Sequence, residues 1–298
     1  MKRAGRDDIR RDLTHVVAHL RLPLQLTLAP LYLWGVFGAG GGWSAATVGA
    51  FVAVHAFLYG GTTLYNSYYD RDEGPIAGME RPVPLPPWAL PFSLAWQGVG
   101  LLIAAVIGAP LAVFYAAYAV MGALYSHPRP RLKGRPYVST GLIFVFQGMG
   151  GVLAGWLASG RPLASLSGER FPLMALVAAC TTIGLYPLTQ IYQVDEDAAR
   201  GDRTLAMALG PRRSFLFALV MFAVAAAAGL RALAGMGRPL DGALLAGGYV
   251  FLGALTAAIG SRFAHQPLLV NFRRLVLLQV AGGAAFAAFV VLQFAHLF

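Results

Sequence analysis

Residues 214 to 230 read Ser214-Phe215-Leu216-Phe217-Ala218-Leu219-Val220-Met221-Phe222-Ala223-Val224-Ala225-Ala226-Ala227-Ala228-Gly229-Leu230, a run of 17 residues without a charge. A helix needs about 20 such residues to cross the hydrocarbon of a bilayer. At this hydrophobicity only a helix satisfies its own backbone in lipid. The run is the core of a span at 213 to 234, and eight more are legible: 22 to 38, 45 to 65, 89 to 108, 110 to 126, 138 to 158, 171 to 190, 241 to 260 and 275 to 297. Of the 298 residues 57% are hydrophobic and 12% charged, with mean hydropathy +0.62. A soluble protein carries about 25% charged residues. The sequence therefore predicts an all-α polytopic membrane protein, nine helices bundled around a central cavity, with residues 1–298 forming a single membrane-embedded domain.

The same composition excludes other classes. A net charge of +10 invites a nucleic-acid reading, but the basic residues are scattered between apolar runs and form no aromatic-studded groove. The single cysteine, Cys180, permits no intramolecular disulfide and reads as core filler. The basic start, mixed with Asp7, Asp8 and Asp12, is not followed by a short apolar segment with a cleavage site, so a cleaved signal peptide is not expected. Residues 1–21 read as an amphipathic segment, with Ile9, Leu13, Val16, Val17 and Leu20 on one face of an interfacial helix.

Charge sets the orientation. With a cytoplasmic N-terminus, 19 of the 23 Lys and Arg residues fall inside, including Lys2, Arg3 and Arg6, and only Arg161, Arg170, Arg231 and Arg238 fall outside. That is the distribution of a bacterial-type inner-membrane protein with its N-terminus in the cytoplasm and its C-terminus outside. Of the 13 acids, 11 also fall inside, which topology alone does not require. Acidic loops follow spans two and six, and basic loops follow spans four and eight. This period of four helices places two acidic loops face to face across the cavity, at the cytoplasmic ends.

The first acidic loop, Tyr65-Asn66-Ser67-Tyr68-Tyr69-Asp70-Arg71-Asp72-Glu73-Gly74-Pro75, places Asn66 and Asp70 four apart, on one helical face. The second, Tyr192-Gln193-Val194-Asp195-Glu196-Asp197, repeats that spacing in Gln193 and Asp197. Three consecutive acids beside a negative membrane surface call for a cation. Oxygen ligands of this kind suit Mg2+, which takes one or two carboxylates together with substrate phosphates. The basic loop Tyr125-Ser126-His127-Pro128-Arg129-Pro130-Arg131-Leu132-Lys133 adds Arg131 and Lys133 as phosphate grips. The histidines, His15, His19, His55, His127, His265 and His296, are dispersed and read as packing residues, and Gly38 to Gly42 as a turn.

Four stretches in order resemble the UbiA superfamily of intramembrane prenyltransferases. Asn66 to Asp70 is similar to its first aspartate-rich motif, NDxxDxxxD. Arg81-Pro82-Val83-Pro84 resembles its RPxPxG stretch, and Tyr125 to Lys133 its YSxPPxRLK loop. Asp195 to Asp197, running into Gly201-Asp202-Arg203-Thr204-Leu205, resembles the second acidic motif and its GxRTLA tail. The sequence departs at Ser67, where the family often has Asp, and at Gly74 in the first motif and Gln193 in the second, where two expected carboxylates are absent.

The resemblance implies an enzyme, with Mg2+ on Asn66, Asp70, Asp72, Asp195 and Asp197. It implies catalytic roles for Asp70, Asp197, Asn66 and Lys133, and substrate contacts from Arg131, Lys133, Tyr125, Tyr69, Gln193, Arg81 and Arg203. The reaction implied is transfer of an isoprenoid chain from a polyprenyl diphosphate to a lipophilic, usually aromatic acceptor of the kind used in quinone biosynthesis, with membrane lipid as surroundings and no obligatory protein partner. Two rivals stand beside it: a transporter, which needs ionisable residues in mid-span where this sequence has almost none, and a divergent relative that binds, cyclises or hydrolyses isoprenoid diphosphate.

Overall fold

A computed structural model describes residues 5–76 and 79–295 of the chain; Lys2, Arg3, His296 and residue 297, on which expectations were placed, lie outside the described residues. Apart from an isolated bridge between Ile76 and Met79, the ordered elements described are helical. In chain order they are α1 (Arg6–Leu20), α2 (residues 22–38), α3 (Ala45–Asp70), α4 (Ala89–Ile107), α5 (Ala109–Ser126), α6 (Pro136–Ala158), α7 (Arg170–Gln190), α8 (Val194–Ala199), α9 (Leu205–Gly235), α10 (Pro239–Arg262) and α11 (Leu268–Ala295). Nine stretches among the described residues are long and apolar enough to span a membrane, and they coincide with the nine read from the sequence.

Local chemistry sets several boundaries. Ser44 caps α3, its Oγ accepting from the Thr47 amide at 3.1 Å. The α4–α5 hairpin turns at Gly108 in extended backbone, with Pro110 in the first turn of α5. The seventh span starts earlier than the sequence suggested. A short helical segment begins at Leu205, breaks at Gly210 (φ 72°, ψ 169°) with Pro211 behind it, and restarts as the membrane helix.

α2 is the buried axis of the bundle, all ten residues of Ala29–Gly38 being buried. It lies against the second half of α6 because both backbones are bare there. A Cβ on Gly35 would collide with the Val152 carbonyl, and one on Gly155 with the Tyr32 carbonyl. α11 closes the ring by packing back on α2, where Gly283 meets Thr27.

The N-terminal helix differs from the expected one-sided amphipath. Val16 and Leu20 are buried against Leu64 and Ala89, whereas Ile9, Leu13 and Val17 are 50%, 44% and 55% exposed. The reason is that α1 docks on the end of α3, so its apolar residues divide between protein and outer surface. His15 Nδ1 and His19 Nε2 bond the carbonyls of Pro84 (2.9 Å) and Val83 (2.7 Å), tying the loop after α3 to α1.

Candidate functional site

Asn66 and Asp70 occupy the last two turns of α3, which continues through the acidic stretch before Arg71 ends it in left-handed backbone (φ 51°). Their spacing puts both on the face turned to the loop between α5 and α6. Lys133 Nζ is ion-paired to Asp70 Oδ2 and donates to Asn66 Oδ1 at 3.4 Å, and Ser126 Oγ donates to the same Asn66 oxygen at 2.7 Å. Arg131 grips Asp202 with a two-pronged fork, Nε to Oδ1 at 2.6 Å and Nη2 to Oδ2 at 2.7 Å, while its Nη2 stands 3.6 Å from Asp70 Oδ1. The hydrogen bonds from Arg131 to Asp202 hold the guanidinium above its usual basicity. Asp70 is 8% exposed and Asp202 4% exposed, so these are pairs inside the protein, where removing one partner strands the other.

The second acidic loop meets the first. α8 carries Glu196 and Asp197, and Arg200 follows it. Arg200 Nη1 donates to Asp72 Oδ1 at 2.6 Å and to the Asp70 carbonyl at 3.4 Å; its Nη2 donates to Asp197 Oδ1 at 3.1 Å. The Gly74 amide donates to Glu196 Oε1. Burial raises the Asp197 carboxyl above the usual carboxylate range, against the pull of Arg200. For Arg200, burial disfavours the charge but the field of Asp72 and the bond to Asp197 outweigh it, and its basicity rises. The backbone joins the third loop, Arg203 N–H to the Gly134 carbonyl at 3.1 Å, and Arg273 of α11 forks onto Glu80 at 2.7 and 3.0 Å. Loops expected on one side of the membrane thus cluster at one end of the bundle, strapped together directly instead of facing each other across a gap.

The structure therefore gathers Asn66, Asp70, Asp72, Asp197, Arg131 and Lys133. Gln193 starts α8, its carbonyl accepting from the Asp197 amide at 2.9 Å, so the two share one turn as the spacing suggested. Asp195, Arg81 and Arg203 are exposed and make no side-chain hydrogen bond or ion pair among the described residues. Tyr69 packs against Tyr65 and His127, ring centroids 5.0 and 5.4 Å apart, and Tyr125 shares a 2.8 Å hydroxyl contact with Tyr186. Arg200, Asp202 and Ser126 were not singled out as functional by the sequence. Asp202 carried a signal all the same, as one more acid five residues beyond Asp197.

Beneath the cluster a cavity of about 210 Å³ lies between α2, α3, α5 and α6. Asn66 and Tyr125 line it, so it opens on the charged cluster. Deeper in, Tyr59, Tyr118 and Phe146 form an aromatic wall, with Tyr118 centroids 5.2 Å from Tyr59 and 6.1 Å from Phe146. Both α3 and α6 widen into π-helix beside this cavity, at Ala53–Tyr59 and Ile143–Met149, a local form frequent at functional sites. Charge at the mouth and π-faces within suit a substrate with an anionic head and a hydrocarbon tail that turns cationic on reaction.

The profile of the UbiA prenyltransferase family matches residues 28–268. The digeranylgeranylglyceryl phosphate synthase of Natronomonas pharaonis is 30% identical over 229 residues, 76% of each chain, and the protoheme IX farnesyltransferase of Aeropyrum pernix is 36% identical over 108 residues, 36% of each chain. Among solved structures, a UbiA homolog from Archaeoglobus fulgidus bound to DMAPP and Mg2+ superposes with TM-score 0.69 at 19% identity, over 94% of this chain and 99% of that one, a likeness of fold.

Proposed function

The chain belongs to the UbiA prenyltransferase family, and from that premise we propose that it transfers an isoprenoid chain from a polyprenyl diphosphate to a lipophilic acceptor, with Mg2+, at the cytoplasmic face of the membrane. It is a prenyltransferase embedded in the membrane. The observation that carries the rest is the coupling of the Asp70, Lys133 and Arg131 cluster to an aromatic cavity through Asn66 and Tyr125.

Among the described residues no three His, Cys, Asp or Glu side chains converge as a metal site by themselves. Mg2+ takes one or two carboxylates, keeps waters and completes its shell with substrate phosphate, so it does not require such a convergence. The donor set is all oxygen, and Asp70 Oδ1 and Glu196 Oε2 are buried without a hydrogen-bond donor. Asp70 and Asn66 from the first loop and Asp197 from the second, through the carboxylate oxygen that Arg200 does not hold, would bind the ion; Asp72 is paired with Arg200 and Asp195 stands exposed outside the cluster. When bound, the ion neutralises charge developing on the leaving diphosphate.

This chain's own residues do the rest. Lys133 and Arg131, held at the mouth by Asp70 and Asp202, present cations to the diphosphate as the C–O bond lengthens. Tyr59, Tyr118 and Phe146 offer π-faces to the allylic cation that remains, and the surrounding apolar helices exclude the water that would quench it. The curated relatives are named for a glyceryl phosphate lipid and for haem, which widens the acceptor class beyond quinone precursors.

The test is purified protein in lipid with labelled isoprenoid diphosphates of several lengths, offered aromatic quinone precursors and glyceryl phosphate ethers. Prenylated product should form in Mg2+ and vanish in excess chelator. Diphosphate release without prenylated acceptor would identify a hydrolase or cyclase instead, and full turnover in chelator would overturn the metal reading.

A further inference from the structure

We propose that Arg200 takes the part of a second divalent ion, so that the diphosphate site, on the reading just given, works with one Mg2+ per chain. Arg200 sits where the two acidic loops meet. Its guanidinium holds Asp72 Oδ1 at 2.6 Å and Asp197 Oδ1 at 3.1 Å, with Glu196 Oε2 at 3.9 Å. A second divalent ion between Asp72 and Asp197 would need those same oxygens, Asp72 Oδ1 and Asp197 Oδ1, whereas Asp197 Oδ2 makes no hydrogen bond among the described residues and is left to the first ion; a guanidinium keeps its charge at every physiological pH.

Arg200 also carries a share of the charge balance of the cluster. The paired cluster contains five carboxylates, Asp70, Asp72, Glu196, Asp197 and Asp202, against three cations, Arg131, Lys133 and Arg200. Two negative charges remain on these paired groups, to which the diphosphate adds its own, and Arg200 supplies one of the three cations that offset the carboxylates. Without Arg200 the same cluster would be short of one more positive charge, and Asp72 Oδ1 and Asp197 Oδ1 would be free to ligate a second ion.

The neighbouring positions are depleted in the same sense. Gly74 and Gln193 are neutral where the motif spacing leads one to expect acids. At Gly74 the volume a side chain would fill is taken by the Glu196 carboxylate, which accepts from the Gly74 amide. That strap joins the loops through Glu196 Oε1, while Glu196 Oε2 faces Arg200 at 3.9 Å. The loops are thus closed by Arg200 and Glu196, while Asp70 Oδ1, 3.6 Å from Arg131 Nη2, accepts no hydrogen bond.

The experiment is Mn2+ titration of the purified chain in lipid, with an unreactive isoprenyl thiolodiphosphate present, read by electron paramagnetic resonance of free and bound Mn2+. The wild type should bind one Mn2+ per chain, Arg200→Lys one, and Arg200→Met two. Two ions on the wild type, or one on Arg200→Met with unchanged affinity, would overturn the proposal while leaving the prenyl-transfer reading intact. No bound Mn2+ on the wild type would overturn both. Melting curves for each variant confirm that the compared chains are folded.

Discussion

Asp70 and Asp197 are the acids whose surroundings most resemble ligands: each is largely buried, each faces a cation, and each stands four residues after an amide side chain. Replacing either with Asn keeps its shape and removes one charge, so turnover should fall on the order of a hundredfold or more, while Asp7→Asn, exposed on α1, changes nothing measurable. Equal expression with undiminished transfer by both variants would refute this. Strain marks the same region. The three non-glycine residues with positive φ among those described, Arg21, Arg71 and Arg131, all lie at this end of the molecule. Left-handed backbone costs a non-glycine residue about 1 kcal/mol. Arg71 is exposed and makes no ion pair among the described residues, so Arg71→Gly should melt above Arg71→Ala by roughly that amount; equal melting temperatures would show the turn to be relaxed. Spacing made Asn66, Asp70 and Asp197 legible in the sequence, and motif order made Arg131 and Lys133 so. The partners were not legible, because Arg131 and Asp202 are 71 positions apart and Asp72 and Arg200 are 128 apart, separations over which no periodicity speaks.

Among the elements, the spans were the easiest feature to read, since hydropathy is a property of each run alone and lipid admits only helices. Pairings were harder. The glycines at 151 to 155 announced close packing but not the partner, which proves to be α2 through Gly35. The amphipathic reading of α1 failed in detail for a related reason: a helical wheel assigns one apolar face, and docking on α3 divided it. Packing at the α2–α6 crossing has no slack, because backbone meets backbone there. Gly155→Leu should therefore cost well beyond the ~1–3 kcal/mol of ordinary overpacking, seen as lost folded protein in detergent, whereas Gly98→Leu, with open space at its Cβ, should be tolerated. Comparable folded yields from the two would mean that α2 is not the packed axis of the bundle.

For the molecule as a whole, the contacts among the loops after α3, α5 and α7 and the first turns of α11 put the charged machinery at one end of the bundle, but contacts carry no record of which side of the membrane that end faces. The assignment to the cytoplasm comes from the excess of 19 to 4 in Lys and Arg, and the positive-inside rule counts short loops such as these. It can be tested on a chain whose only native thiol, the buried Cys180, has been replaced by Ala. Ser139 would be a poor reporter because it is fully buried at the start of α6. Arg129, exposed in the loop after α5, and Ser167, exposed in the loop before α7, report the two ends instead. In right-side-out vesicles an impermeant maleimide should label Ser167→Cys at once and Arg129→Cys only after permeabilisation. The reverse pattern would move the diphosphate site to the outer face, where isoprenoid diphosphates made in the cytoplasm could not reach it without a carrier, and would overturn the assignment of prenyl transfer to the cytoplasmic side.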